Sequence, residues 1–122
     1  MNRSNSRRNR EGVARAIVAM DEIWIELFSD LGLGDLSYCD LLIHMWLRRD
    51  RILHKTDLYA FMPSVSRRTA VKYVQRVIEG GLLEERAMED DKRVRQVALT
   101  ATLVERLERF YDLTSEQFFG SA

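Results

Sequence analysis

Four basic side chains lie close together in the middle of this sequence. Arg67, Arg68, Lys72 and Arg76 are followed by no acid until Glu79. Guanidinium and ammonium groups form charge-assisted hydrogen bonds to phosphates, and arginine also pairs bidentately with guanine in the major groove of DNA. The stretch therefore indicates binding of a polyanion, with double-stranded DNA favoured over RNA or a membrane surface.

A helix over residues 67–79 is expected to position these side chains. Ser66 predicts its N-cap, and Gly80-Gly81 predicts its end. At about 100° per residue, the apolar residues fall on one arc and the basic residues on the opposite arc. The core-facing arc contains Ala70, Val71, Val74, Val77 and Ile78. The predicted DNA contacts of this helix and its approach are Ser64, Ser66, Arg67, Arg68, Thr69, Lys72, Tyr73 and Arg76.

A charged hairpin follows the helix. Residues 82–86 and 94–99 are strand-like, and the polar residues between them predict a turn. Lys92 and Arg93 at this turn are expected to reach a phosphate and a minor groove, respectively, with Asp91 holding Arg93 extended. The alternative is an ordinary charged hairpin tip that contacts nothing.

The remaining segments predict a mainly α fold with a small β wing. Apolar periodicity predicts four further helices. The first covers residues 11–31, and the second runs from Ser37, its N-cap, to about Arg49. The third runs from Lys55 or Thr56 to Pro63, and the last covers 102–119 after a cap at Thr100. Residues 51–54 are expected to be an extended connector or a further short strand. Lys55 and Thr56, at the start of the third helix, join the predicted DNA contacts, with Lys55 on a phosphate.

The predicted organisation is a basic flexible tail over residues 1–10 and a single winged-helix domain over 11–122. Within that domain, 37–100 form the DNA-binding core, and 11–31 and 102–119 are terminal helices. The helix over 11–31 is apolar on more than one side, which favours either dimerisation with a second copy or burial on most sides within its own domain.

Composition restricts the class of protein further. The 122 residues carry 19 basic and 19 acidic side chains, so any basic face must be opposed by an acidic one. No apolar run is long enough to span a bilayer, and we expect a cytoplasmic protein. Cys39, the single cysteine, cannot form an internal disulfide and is either a thiol sensor or a small buried side chain.

No spacing of residues predicts a metal site, a cofactor site or a catalytic arrangement, and we expect a protein that is not an enzyme. His44 is interpreted either as an ordinary core or surface histidine or as one wall of a ligand pocket with Trp24 and Trp46.

Residues 64–100 resemble the MarR family of bacterial winged helix-turn-helix transcription regulators. The resemblance is carried by Ser66 to Tyr73, by Gly81 to Arg86, and by Asp91-Lys92-Arg93 followed by Leu99-Thr100. It implies a homodimer on a pseudo-palindromic operator, with the helix around Arg68 in the major groove and Arg93 in the minor groove. It also implies dimerisation through the terminal helices and a repressor that a small aromatic ligand releases from DNA.

Two features depart from the family pattern. Leu103 stands where the family often has glycine, and the chain ends soon after its last long helix. We expect the apolar surface of residues 11–31, with Phe118 and Phe119, to compensate in the dimer. The competing functional class is a winged-helix module that binds an acidic protein instead of DNA.

Overall fold

The computed structural model describes residues 3–120. Its fold is mainly α with a two-stranded antiparallel wing, as the sequence predicts. In chain order the elements are α1 (Arg3–Phe28), a 3-10 turn (Ser29–Leu31), α2 (Leu36–Leu47), α3 (Lys55–Tyr59), α4 (Arg67–Glu79), β1 (Leu83–Ala87), β2 (Arg95–Leu99) and α5 (Ala101–Phe119). No helix of the described residues has the length and apolar character needed to cross a membrane.

The basic segment at the start of the chain is helical from Arg3, which corrects the flexible tail predicted over residues 1–10; Met1 and Asn2 lie outside the described residues. Arginine has a high helix propensity, and extending an existing helix costs much less than starting one. Gly12 does not interrupt the helix, and a Cβ at this position would meet no other atom within 4 Å. The prediction failed because these residues have no apolar face for the periodicity to reveal.

Two compact units make up the chain, and the first comprises residues up to Leu36 together with those from Glu108 onward. Trp24 is fully buried at its centre, stacked on Phe28 with ring centroids 3.8 Å apart and edge-on to Phe110 at 5.1 Å. Its indole Nε1 donates to the carbonyl of Leu33 at 2.9 Å. Gly32 takes the left-handed conformation, φ 76°, that ends the helical segment.

The second unit, Ser37–Leu107, contains the helix–wing arrangement. Its helices bury apolar side chains that include Leu41, Leu42, Met45, Leu58, Ala70, Val74, Val77 and Leu103. Helix α2 already begins at Leu36, so Ser37 lies inside the helix and is not its N-cap. Val71 is 39% exposed, which corrects its assignment to the core face of α4. About 100° of helix rotation separates Val71 from Ala70, which places Val71 at the edge of the buried arc.

The wing is an antiparallel pair in which Leu83 faces Leu99 and Ala87 faces Arg95. The extended segment before α3 contributes one backbone hydrogen bond, from Val97 N to Leu53 O at 2.8 Å, and it forms no strand of its own. At the other end of the hairpin from its tip, the hydroxyl of Thr100 donates to the carbonyl of Leu82 at 2.7 Å. This contact joins the beginning of α5 to the beginning of the wing.

Candidate nucleic-acid interface

Helix α4 begins where the sequence predicts, and its first turn is fixed by Ser66. The Ser66 hydroxyl accepts the backbone N–H of Thr69 at 3.1 Å and donates to the Thr69 hydroxyl at 3.0 Å. Because both hydrogen-bonding roles of the Ser66 hydroxyl are used within the helix, its main task is capping. The Thr69 hydroxyl keeps its own proton for a further acceptor.

The outer face of α4 is basic and exposed. Arg67, Arg68, Lys72 and Arg76 are all exposed, and none forms an ion pair within the described part of the chain. The acid at the end of the helix, Glu79, accepts a hydrogen bond from Gln75 at 3.0 Å. Unpaired cations on one helical face leave the positive potential of that face uncancelled, which attracts a polyanion.

Aromatic rings flank this basic face. The guanidinium of Arg67 lies 5.3 Å from the centre of the Tyr59 ring, and that of Arg76 lies 5.9 Å from the Tyr73 ring. Tyr73, predicted to contact DNA, is half-buried, and its ring stacks at 4.8 Å on the buried ring of Tyr38. Most of the Tyr73 ring is thus used to attach α4 to α2.

The tip of the wing holds an arginine in a fixed position. Arg93 donates to Asp91 from its backbone N–H at 3.0 Å, from Nε to Oδ1 at 3.1 Å and from Nη2 to Oδ2 at 3.2 Å. The Arg93 side chain is nevertheless 91% exposed. The guanidinium, and to a smaller extent the backbone N–H, lower the pKa of Asp91 below its usual value. Lys92 beside them is also exposed.

The beginning of α3 is attached to the wing, which the sequence did not reveal. Lys55 Nζ forms a 2.9 Å salt bridge with Glu85 Oε2 on β1, and His54 Nδ1 lies 2.8 Å from the Arg95 carbonyl on β2. His54 also donates its backbone N–H to the Asp57 carboxylate at 2.8 Å. Lys55, predicted to lie on a phosphate, is therefore already paired within the protein, whereas Thr56 and Ser64 are exposed.

No family model and no curated protein matches the sequence. Solved structures do match: a mutant of MarR from E. coli complexed with operator DNA, with 18% identity over 87% of this chain and 73% of that one, and a TM-score of 0.57. A mutant of MepR from S. aureus bound to an oligodeoxyribonucleotide gives 15% identity over 85% and 75%, with a TM-score of 0.65. The transcriptional repressor CouR bound to a 23-mer DNA duplex gives 16% over 87% and 72%, with a TM-score of 0.57.

The chain has the winged helix-turn-helix fold of the MarR family. At identities this low the likeness concerns the fold, and the roles of individual side chains rest on this chain's own geometry. In this MarR-type fold α4 directly precedes the two-stranded wing formed by β1 and β2.

The sequence suggests Trp24, His44 and Trp46 as walls of a possible ligand pocket, and the position of Trp24 does not fit that role. Trp24 is fully buried with its N–H bonded, so it presents no surface to a ligand. His44 stacks on Phe61 at 5.3 Å, while the Trp46 ring lies 3.9 Å beneath the Arg49 guanidinium. Each of the three aromatic side chains therefore packs against another group of the protein.

Cys39, the single cysteine, is half-buried and is not part of a disulfide. Within residues 3–120, no group of three or more histidine, cysteine or acidic side chains is arranged to hold a metal ion.

Proposed function

We propose that this protein binds double-stranded DNA sequence-specifically as a transcription regulator of the MarR type. The observation that carries the proposal is the exposed face of α4, on which Arg67, Arg68, Lys72 and Arg76 have no ion-pair partner in the described residues. Structures of similar fold that contain DNA, among them those of MarR and CouR, support the same function.

The major groove of B-DNA is about 12 Å wide and admits one α-helix. In our proposal α4 enters this groove with its N-terminal turn first, where the helix dipole is positive. Arg68 pairs with a guanine, and Arg67, Thr69 and Lys72 contact neighbouring base edges or phosphates. The Ser66 cap and the Tyr73–Tyr38 stack hold the helix rigid, which reduces the entropy lost on binding.

The wing supplies the second contact in this proposal. Arg93 enters an adjacent minor groove, where the negative potential is strongest when the groove is narrow. The Asp91 carboxylate holds the guanidinium before DNA arrives, so that less conformational freedom is lost on binding. Lys92, Arg76, Thr56 and Ser64 then lie along the phosphates. Lys55 joins them only by giving up its salt bridge to Glu85.

We further propose that the protein acts as a homodimeric repressor on a pseudo-palindromic operator and that a small ligand releases it. Apolar side chains on α1 support the dimer: Val13, Ile17, Val18 and Ile25 are between 45% and 57% exposed, and Phe119 on α5 is 86% exposed. A second copy would cover such a surface. Light scattering at micromolar concentration tests the dimer, and a monomeric mass contradicts it.

The function itself is tested by selecting duplexes from a random library with purified protein, followed by gel retardation at low salt. We expect enrichment of an inverted repeat with half-sites about one helical turn apart. The competing function, binding of an acidic protein through the same basic face, predicts no retardation of any duplex. Absence of retardation would therefore overturn the DNA-binding proposal.

A further inference from the structure

One apolar side chain of α4 lies at the surface beside the basic residues. Val71 is 39% exposed, whereas the other two valines of the helix are buried. A shallow hollow on the outside of the helix has Val71 as its apolar wall, and its other walls are Lys72, Gln75, Arg76 and Glu79. The DNA-facing surface of the helix therefore contains a group that forms neither a hydrogen bond nor an ion pair.

Polar and positively charged side chains flank Val71 along the helix. Residues three or four positions apart are neighbours on a helix surface, so Arg67, Arg68 and Gln75 lie next to it. Neither arginine has an ion-pair partner in the described part of the chain. A lone exposed valine is ordinary on a protein surface, but this one lies among cations that attract a polyanion. Charge complementarity thus favours a nucleic acid as the partner of this side chain.

The one acid of the hollow lies far from the end of α4 that meets the bases. Glu79 follows Val71 by eight residues, which is about 12 Å along the helix axis. Its carboxylate accepts a hydrogen bond from Gln75 at 3.0 Å. When α4 enters the groove with its N-terminal turn first, Val71 lies about one turn behind the leading end and Glu79 lies at the trailing end. The acid therefore does not oppose a contact at Val71.

The chemistry of the major groove restricts what a valine can recognise there. Base edges in this groove present hydrogen-bond donors and acceptors, and the only methyl group of unmodified DNA is the 5-methyl group of thymine. Valine placed against another base edge would displace water without replacing its hydrogen bonds, which is unfavourable. Against the thymine methyl group both partners bury apolar surface. An exposed valine in the groove therefore favours thymine over the other three bases.

We propose that Val71 contacts the 5-methyl group of a thymine in each half-site of the operator and selects that base. This inference rests on the DNA-binding function proposed above and deepens it by adding a residue that determines specificity. Arg68 and Lys72 supply charge and hydrogen bonds on the same helix, and Val71 supplies a contact that depends on apolar burial alone.

The test replaces thymine by deoxyuridine, which lacks only the 5-methyl group and keeps every hydrogen-bonding group. Each thymine of the selected duplex is replaced in turn, and dissociation constants are measured by fluorescence anisotropy for wild type and Val71→Ala. At one thymine of each half-site we expect the wild type to lose about fourfold in affinity, the worth of one buried methyl group. Val71→Ala should bind the thymine and deoxyuridine duplexes equally at that position.

Val94→Ala is the matched control. Val94 is also 39% exposed, but it follows Arg93 in the wing, and the minor groove presents no methyl group. This variant should show the same loss on deoxyuridine replacement as the wild type. Circular dichroism should show an unchanged fold for Val71→Ala, because alanine has the higher helix propensity.

The outcomes distinguish this inference from the proposed function. Equal binding of the wild type to every deoxyuridine duplex would overturn the inference. So would a loss that persists in Val71→Ala, because it would then come from the DNA itself or from another side chain. DNA binding is retained in both results, so the proposed function would stand. Failure of the wild type to bind any duplex would overturn both.

Discussion

Asp91 holds Arg93 through both the backbone and the side chain at the tip of the wing. The three donor–acceptor distances are 3.0, 3.1 and 3.2 Å, although the arginine side chain is 91% exposed. An exposed arginine normally samples many rotamers, and holding it costs side-chain entropy of up to about 2 kcal/mol. The contact therefore places a guanidinium in solvent with part of that entropy already lost before any partner binds.

The contact between Asp91 and Arg93 should depend on pH in a defined direction. The Arg93 guanidinium lowers the pKa of Asp91 below 3.8, the usual value. A carboxyl group with a lowered folded-state pKa contributes stability that is complete above the unfolded pKa and is lost as the pH falls through the folded pKa. We expect the Arg93 Nε–H to stay ordered in NMR relaxation from neutral pH down to 3.8 and to become mobile below it.

Asp91→Asn is the control for that titration. The amide cannot accept a bidentate, charge-assisted pair, so Arg93 should be mobile at every pH. An ordered Arg93 Nε–H in this variant would show that the carboxylate does not hold the side chain.

The Ser66 cap should contribute measurably to stability. Its hydroxyl accepts the Thr69 N–H, which would otherwise lack a partner at the start of α4. We expect Ser66→Ala to lower the free energy of unfolding by about 1 kcal/mol in urea denaturation. Ser64→Ala, two residues earlier at an exposed position, should change it by less than about 0.5 kcal/mol. Equal effects of the two substitutions would contradict the capping role.

The salt bridge between Lys55 and Glu85 predicts a change in the salt dependence of DNA binding. Glu85→Gln removes the carboxylate that now neutralises Lys55, so the lysine can contact a phosphate. We expect the slope of log K against log salt to steepen by about one unit, as one more phosphate is neutralised. Glu84→Gln, which breaks the exposed pair with Arg86, is the matched control and should leave the slope unchanged. Identical slopes for Glu85→Gln and wild type would mean that Lys55 does not reach the DNA.

Local sequence signals predicted helix α4 and the tip of the wing well. Both ends of α4 were predicted to within one residue. The signals were the Ser66 cap, the apolar spacing of Ala70, Val74 and Val77, and the two glycines that follow the helix. Each of these signals acts over a few neighbouring positions, so it can be recognised in the sequence. The contact of Asp91 with Arg93 was predictable for the same reason, since two residues separate the partners.

Contacts distant in sequence were not predictable. Nothing in the residues around Lys55 indicates its salt bridge with Glu85, thirty positions later in the chain. Nothing near Tyr73 indicates that its ring stacks on Tyr38. The sequence could not separate a possible pocket of Trp24, His44 and Trp46 from ordinary packing, because the aromatic pattern of a buried core and that of a ligand site are the same in sequence. Only the packing distinguishes them.

The central claim is that α4 reads bases while the wing contributes to general affinity, and one measurement tests it most directly. Wild type, Arg68→Ala and Lys92→Ala are titrated by fluorescence anisotropy against a selected duplex and a random duplex of equal length. Arg68→Ala should lose about 1–3 kcal/mol on the selected duplex and little on the random one, whereas Lys92→Ala should weaken both similarly. Equal losses for both variants on both duplexes would contradict the claim.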